Sequence, residues 1–157
     1  MAQPITAYTD TDAIRSALGV TDNEVTDAML VDQRLALELT VDLDGWADGH
    51  AAAFAAGSLQ GADAAAQLKA NYISLYAQWY CAERVITNMK LAIPQMISDG
   101  KTEMRRFQMM DMDAVERAAS ARAAHYKSLL SLALGGTAET VMSFASRSTP
   151  TYDPVTG

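Results

Sequence analysis

From Ala62 to Ile93 the chain contains neither glycine nor proline, and Ala65, Leu68, Tyr72, Leu75, Trp79, Ala82, Ile86, Met89 and Ile93 recur at alternating steps of three and four. This spacing predicts one long helix between Gly61 and Pro94, roughly 48 Å at the helical rise of about 1.5 Å per residue. Ile73, Tyr76 and Tyr80 flank the stripe and make the apolar surface wider than a two-stranded coiled-coil seam, so the helix is expected to be covered on more than one side. A third stripe, Gln67, Asn71, Ser74, Gln78, Cys81 and Asn88, is polar yet carries no charge. A solvated face normally shows Lys and Glu, so this one is expected to meet another protein surface.

The remaining chain reads as helix as well. Thr11 or Asp10 is placed to cap a short helix through Ile14 and Leu18 that Gly19 stops. Thr21 with Glu24 forms a capping-box pattern, and Val25, Ala28, Val31, Leu35 and Leu39 keep helical spacing to about Asp42. Together these predict an N-terminal helical hairpin. Asp42 to Gly61, rich in glycine and alanine, is expected to be a loop with a helical turn at Ala51 to Ala56, its Trp46 and Phe54 tucked under the bundle. Pro94 should end the long helix, and Ser98-Asp99-Gly100-Lys101 signals a hairpin-like excursion between Met96-Ile97 and Met104 to Phe107. A last helix is expected from Met112 to Leu134, with Met112, Val115, Ala119, Ala123, Tyr126, Leu130 and Ala133 on one face and Gly135-Gly136 beyond it. Ser148 to Gly157 carries Pro150 and Pro154 and reads as an extended arm. The fold class is therefore all-α: a helical-bundle domain over 1–147 with one long central helix, followed by the arm over 148–157.

With 157 residues, 50% hydrophobic and 20% charged, the chain suits one folded domain and is too apolar for global disorder. Its one cysteine, Cys81, excludes a disulfide framework within the chain and points to a reducing compartment. Neither a signal peptide nor a membrane-spanning run is expected. The net charge of −7 is unevenly placed: up to Gly57 only Arg15 and Arg34 oppose Asp10, Asp12, Asp22, Glu24, Asp27, Asp32, Glu38, Asp42, Asp44 and Asp48. Such a region repels phosphates, and the asymmetry suits either head-to-tail packing of unlike faces or a plain acidic surface.

No catalytic constellation is expected. Asp42, Asp44 and Asp48 with His50 resemble a cation loop, but Trp46 stands where an oxygen ligand is needed and no bidentate glutamate follows, so a polar helix terminus and turn is the better reading. His50 and His125 lack the spacing that puts two metal ligands on one helical face. Cys81 sits mid-helix, where no helix N-terminus stabilises a thiolate. Phosphate- and dinucleotide-binding glycine motifs and nucleophile elbows are absent. Tyr72, Tyr76, Trp79 and Tyr80 are read as core because no Arg or Lys interleaves them as in a base-stacking platform. Met104, Met109, Met110 and Met112 around Arg105-Arg106-Phe107 mark either a partner contact or core.

Thr9-Asp10-Thr11-Asp12-Ala13-Ile14-Arg15-Ser16-Ala17-Leu18-Gly19-Val20, then Asp27-Ala28-Met29-Leu30, open the chain with a short helix ending in Leu-Gly and a second, acidic-hydrophobic helix start. With the long aromatic helix, the Ile97 to Lys101 turn, Arg106-Phe107 and the alanine-rich last helix through Tyr126 and Leu129-Leu130, this order resembles the head-to-tail connector (adaptor, or head-completion) proteins of tailed bacteriophages. The resemblance implies a non-enzymatic virion neck protein, made in the host cytoplasm, with no cofactor. Copies would form a ring, usually dodecameric, that docks beneath the portal protein, meets a downstream neck or tail protein, and lets DNA pass without specific binding. On that reading Gln67, Asn71, Ser74, Gln78, Asn88, Arg105 and Arg106 are the expected subunit contacts. Pro150, Tyr152, Asp153 and Pro154 of the arm are expected to dock on the portal or a neighbour. The competing reading is a DNA-packaging factor, such as a small terminase subunit, using the N-terminal helix pair as a helix-turn-helix; Asp22, Glu24, Asp27 and Asp32 oppose it.

Overall fold

A computed structural model describes residues 2–98 and 111–135. The fold is all-α: α1 (Thr11–Leu18), the single turn α2 (Asp27–Leu30), α3 (Gln33–Trp46), α4 (His50–Gly57), α5 (Ala64–Ser98) and α6 (Met112–Ala133). The excursion beyond Ser98, with Arg105 and Arg106, and the arm, with Pro150, Tyr152, Asp153 and Pro154, lie outside the described residues.

Helix α1 starts where the Asp10 side chain accepts from the Ala13 N–H at 2.8 Å and ends at Gly19, whose φ of 67° is the left-handed conformation that favours glycine. The Thr21 pattern behaves differently from expectation. The Glu24 carboxylate accepts from both the Thr21 N–H and its hydroxyl, which closes a local turn, and the helix expected to run from there to Asp42 is divided. Asp32, extended at φ −96° and ψ 124°, caps a fresh start at α3 by accepting from the Arg34 N–H. A four-residue α2 is too short for the paired helices of a helix-turn-helix. The expected loop after Asp42 is also largely helical, with Trp46 closing α3 and α4 containing the predicted Ala51 to Ala56 turn.

Asp63 starts α5 by accepting from the Ala66 N–H at 2.6 Å. The helix then continues through Pro94 to Ser98, so Pro94 does not end it, and Met96-Ile97 are helical rather than part of a hairpin. A proline removes one ladder hydrogen bond, to the carbonyl four residues back, and a long helix held elsewhere tolerates that loss. The side of α5 that is buried also departs from the apolar stripe. Leu68 is 46% exposed, whereas Ile73, Tyr76 and Tyr80, expected only to flank the stripe, are at most 7% exposed. Strict alternation of three and four drifts around a 3.6-residue helix by about 20° per heptad. The stripe therefore begins toward solvent at Ala65 and Leu68 and reaches the core at Ala82, Ile86 and Met89.

Around α5 the core gathers Ile14 and Leu18 from α1, Leu35, Leu39 and Leu43 from α3, and Ala123 and Leu130 from α6. Small residues let helices approach closely. On α4, a Cβ built at Gly57 would stand 2.2 Å from the Ala66 carbonyl oxygen, so glycine is what permits that crossing. On α6, Ala119 and Ala123 are buried at positions predicted for the inner face.

Candidate functional site

The uncharged stripe on α5 divides into covered and open parts. At its centre the Gln78 side-chain amide donates to the Ala13 carbonyl of α1 at 2.7 Å. One turn on, Cys81 is fully buried, and burial, aided by the negative Glu38, pushes its thiol up to about 12. A thiol so held is almost wholly protonated at neutral pH and is no nucleophile. Ser74 is half-buried, while Gln67, Asn71 and Asn88 are exposed. Gln67 turns back to donate to the Ala62 carbonyl at 2.8 Å. Asn88 lines a crevice of about 30 Å³ with Met29, Asp32, Arg34, Leu35, Glu38 and Val85, room for roughly one water.

Three polar constellations join segments far apart in sequence. In the first, buried Arg15 donates from Nε to the Val25 carbonyl at 2.7 Å and from its terminal nitrogens to Asp12 and Asp27. The hydrogen bond from Arg15 holds the Asp27 carboxyl below the usual carboxylate range, and the fork ties α1 to the turn before α2. In the second, Lys90 of α5 pairs with Asp113 and Glu116 of α6, and Glu116 also accepts from the Thr87 hydroxyl at 2.7 Å.

The third centres on His50, which opens α4 and is 5% exposed. Its Nε2 lies 2.9 Å from Asp44 of α3, and its Nδ1 lies 3.0 Å from the Tyr8 hydroxyl. Tyr8 packs edge-on against Phe54 with ring centroids 4.9 Å apart, so the N-terminal segment is fastened to α4. Burial, with Asp44 nearby, raises the Tyr8 hydroxyl above its ordinary range, which suits a hydrogen-bonding anchor rather than a nucleophile. The sequence groups Asp44 with His50 in the acidic segment read as a polar helix terminus and turn; the fold adds Tyr8, which no pattern links to them.

The aromatic residues of α5 are not simply core. Tyr76 is buried beside Trp46, and both donate to Asp42. Trp79 is half-buried, and Arg122 of α6 lies over its ring at 4.6 Å, as Lys127 lies over Trp46 at 4.7 Å. Arg84 of α5 itself lies over the Tyr80 ring at 5.1 Å, whereas the other two cations come from a later helix. They occupy the ring faces themselves, which makes these pairs clamps between helices. Among the described residues, no group of three or more His, Cys, Asp or Glu side chains is placed to hold a metal, and no helix is long and apolar enough to cross a membrane.

No family model, curated protein or solved structure matches the chain.

Proposed function

We propose that this chain is a structural subunit of the neck of a tailed-phage-like particle, forming a ring that docks on the portal, extends the DNA channel and links head to tail. The observation that carries the reading is the order of parts. A short first helix is closed at Leu18-Gly19, a long aromatic helix follows, and an alanine-rich last helix lies along it. That is the order in which the sequence resembles head-to-tail connectors. Two further features support it. The acidic N-terminal region disfavours adhesion to passing DNA. Leu37 and Val41, one turn apart on α3 and both exposed, give a small contiguous apolar face of the kind a neighbouring subunit would cover.

Negative-stain imaging of the protein mixed with its portal tests the proposal. A second ring stacked on the portal is the expected result. Bare portals, together with salt-sensitive retardation of DNA by the free protein, would overturn it in favour of a packaging factor.

A further inference from the structure

Two helix faces remain uncovered by the described residues, and their surroundings carry opposite charge. On α3, Leu37 and Val41 are 64% and 63% exposed. They stand one turn apart on the side opposite Trp46, and Asp44 continues the same row. Arg34 stands one turn before Leu37 at the start of α3, and from Glu38 to Asp48 every charged residue is acidic, so the helix and the turn after it carry more acid than base. On α6 the exposed outward row is Ala118, Ala121, Ala124 and Ser128, small residues that would let another helix approach closely, with Leu132 53% exposed at its end. Beyond Glu116 every charged residue of α6 is a cation, namely Arg117, Arg122 and Lys127. Among the described residues no carboxylate lies within ion-pair distance of these three.

We infer that these two faces are partners between copies: the Leu37–Val41 ridge of one chain seats on the Ala118–Ala121–Ala124 row of the next, with Asp48, and Asp44 beside its contact with His50, facing exposed Arg117, while Arg122 and Lys127, held over Trp79 and Trp46, add positive charge at the flanks. The two faces cannot satisfy each other within one molecule, because Trp46 on the inner side of α3 already meets Lys127 at the flank of α6. A contact of α3 with α3 would set acid against acid, and one of α6 with α6 would set cation against cation; only the unlike pairing is attractive. Contacts between unlike faces repeat head to tail and close into a ring when the rotation per subunit allows. The inference rests on the ring proposed above and names the surfaces by which its subunits meet.

Sedimentation velocity on the full chain over a range of concentration and salt tests this. The unmodified protein should self-associate, more weakly at high salt. Leu37→Lys with Val41→Lys puts two cations on the ridge and cancels the charge of Asp44 and Asp48, and Ala121→Glu with Ala124→Glu puts two carboxylates on the α6 row and offsets two of its three cations. All four sites are exposed and accept good helix formers, so circular dichroism should be unchanged. Each double variant alone should associate more weakly than the parent, and an equimolar mixture should recover association, because in an alternating array the introduced lysines meet the introduced glutamates and the other interface is the unmodified one.

Both variants associating like the parent would overturn the inference while leaving a ring built through other surfaces. A mixture that associates no more strongly than either variant alone, or a parent monomeric at every concentration, would also overturn it. So would salt-sensitive retardation of a DNA oligonucleotide by the parent, abolished by the α6 substitutions and without self-association; that result would assign the cations to phosphate. Stacking on the portal is read separately by imaging, so failure of this contact is distinguishable from failure of the neck role.

Discussion

Replacing Gly57 by alanine probes the close approach of α4 to α5. The new Cβ would meet the Ala66 carbonyl oxygen at 2.2 Å, the Ala66 carbonyl carbon at 2.8 Å and the Ala70 Cβ at 2.7 Å. Two of these atoms are backbone, so relief requires α4 and α5 to separate; overpacking of this kind costs about 1–3 kcal/mol. Alanine also restricts the unfolded chain, which returns roughly 0.4–1 kcal/mol. The clash therefore wins, and Gly57→Ala should lower stability by about 1–2 kcal/mol. For a chain of this size that is a melting point lower by roughly 2–8 °C. Gly45, near the end of α3, is the internal control, since a Cβ there meets nothing within 4 Å. Gly45→Ala should raise stability by up to about 1 kcal/mol. Thermal melts followed by circular dichroism read both signs. If Gly57→Ala melts at or above the parent, as Gly45→Ala should, the close crossing of α4 and α5 is refuted.

Arg15→Ala removes a buried guanidinium whose Nε serves the Val25 carbonyl and whose fork serves Asp12 and Asp27. Urea titration should show a loss of roughly 1.5–3 kcal/mol, with Arg15→Lys recovering only part because an ammonium lacks the fork; a loss below about 0.5 kcal/mol would contradict the clamp. The pH dependence follows from three depressed carboxylates: Asp27, hydrogen-bonded by Arg15, and Asp113 and Glu116, both hydrogen-bonded by Lys90, sit below their usual 3.8, 3.8 and 4.5. Because the unfolded chain takes up these protons at higher pH, the stabilisation is complete above the ordinary values and is lost as pH falls through the lower folded ones. Lys90 is raised above its usual 10.5 by the same partners, so its share is complete below that value and disappears as pH rises through the folded one. Melting points from pH 2 to 6 should therefore fall mainly on the acid side of 4.5, and Glu116→Gln should flatten that limb; an unchanged slope would refute the Lys90 cluster.

What sequence made legible here is what local chemistry decides. Asp10 and Gly19 delimit α1 because a side-chain acceptor and a left-handed glycine act within a turn. The inner face of α6 shows as Ala119, Ala123 and Leu130 because one neighbour covers one side throughout. The division near Val31-Asp32 was not legible, since Val25 to Leu39 keeps an unbroken helical period, and only the capture of the Arg34 N–H by Asp32 marks a new start. Pro94 misleads for the opposite reason: its local penalty of about 3 kcal/mol is outweighed along a helix packed over most of its length. His50 with Tyr8, and Arg122 with Trp79, join residues whose proximity no spacing rule encodes.

The uncharged stripe of α5 shows where such inference runs out physically. A charge taken out of water costs several kcal/mol per ion, whereas a buried amide that finds an acceptor is roughly neutral to favourable by about 0.5–1.5 kcal/mol. A stripe of Gln, Asn, Ser and Cys therefore records that a face is covered, not what covers it. At Gln78 and Cys81 the cover lies within the chain: α1 supplies the Ala13 carbonyl to the amide at 2.7 Å, and the core encloses the thiol. The same composition at Gln67, Asn71 and Asn88 is left exposed among the described residues. Only these three remain on the stripe as candidates for contact with a neighbour. The stronger candidates lie on helices whose apolar or small residues face outward, because there the described residues leave uncovered the surface whose burial drives association.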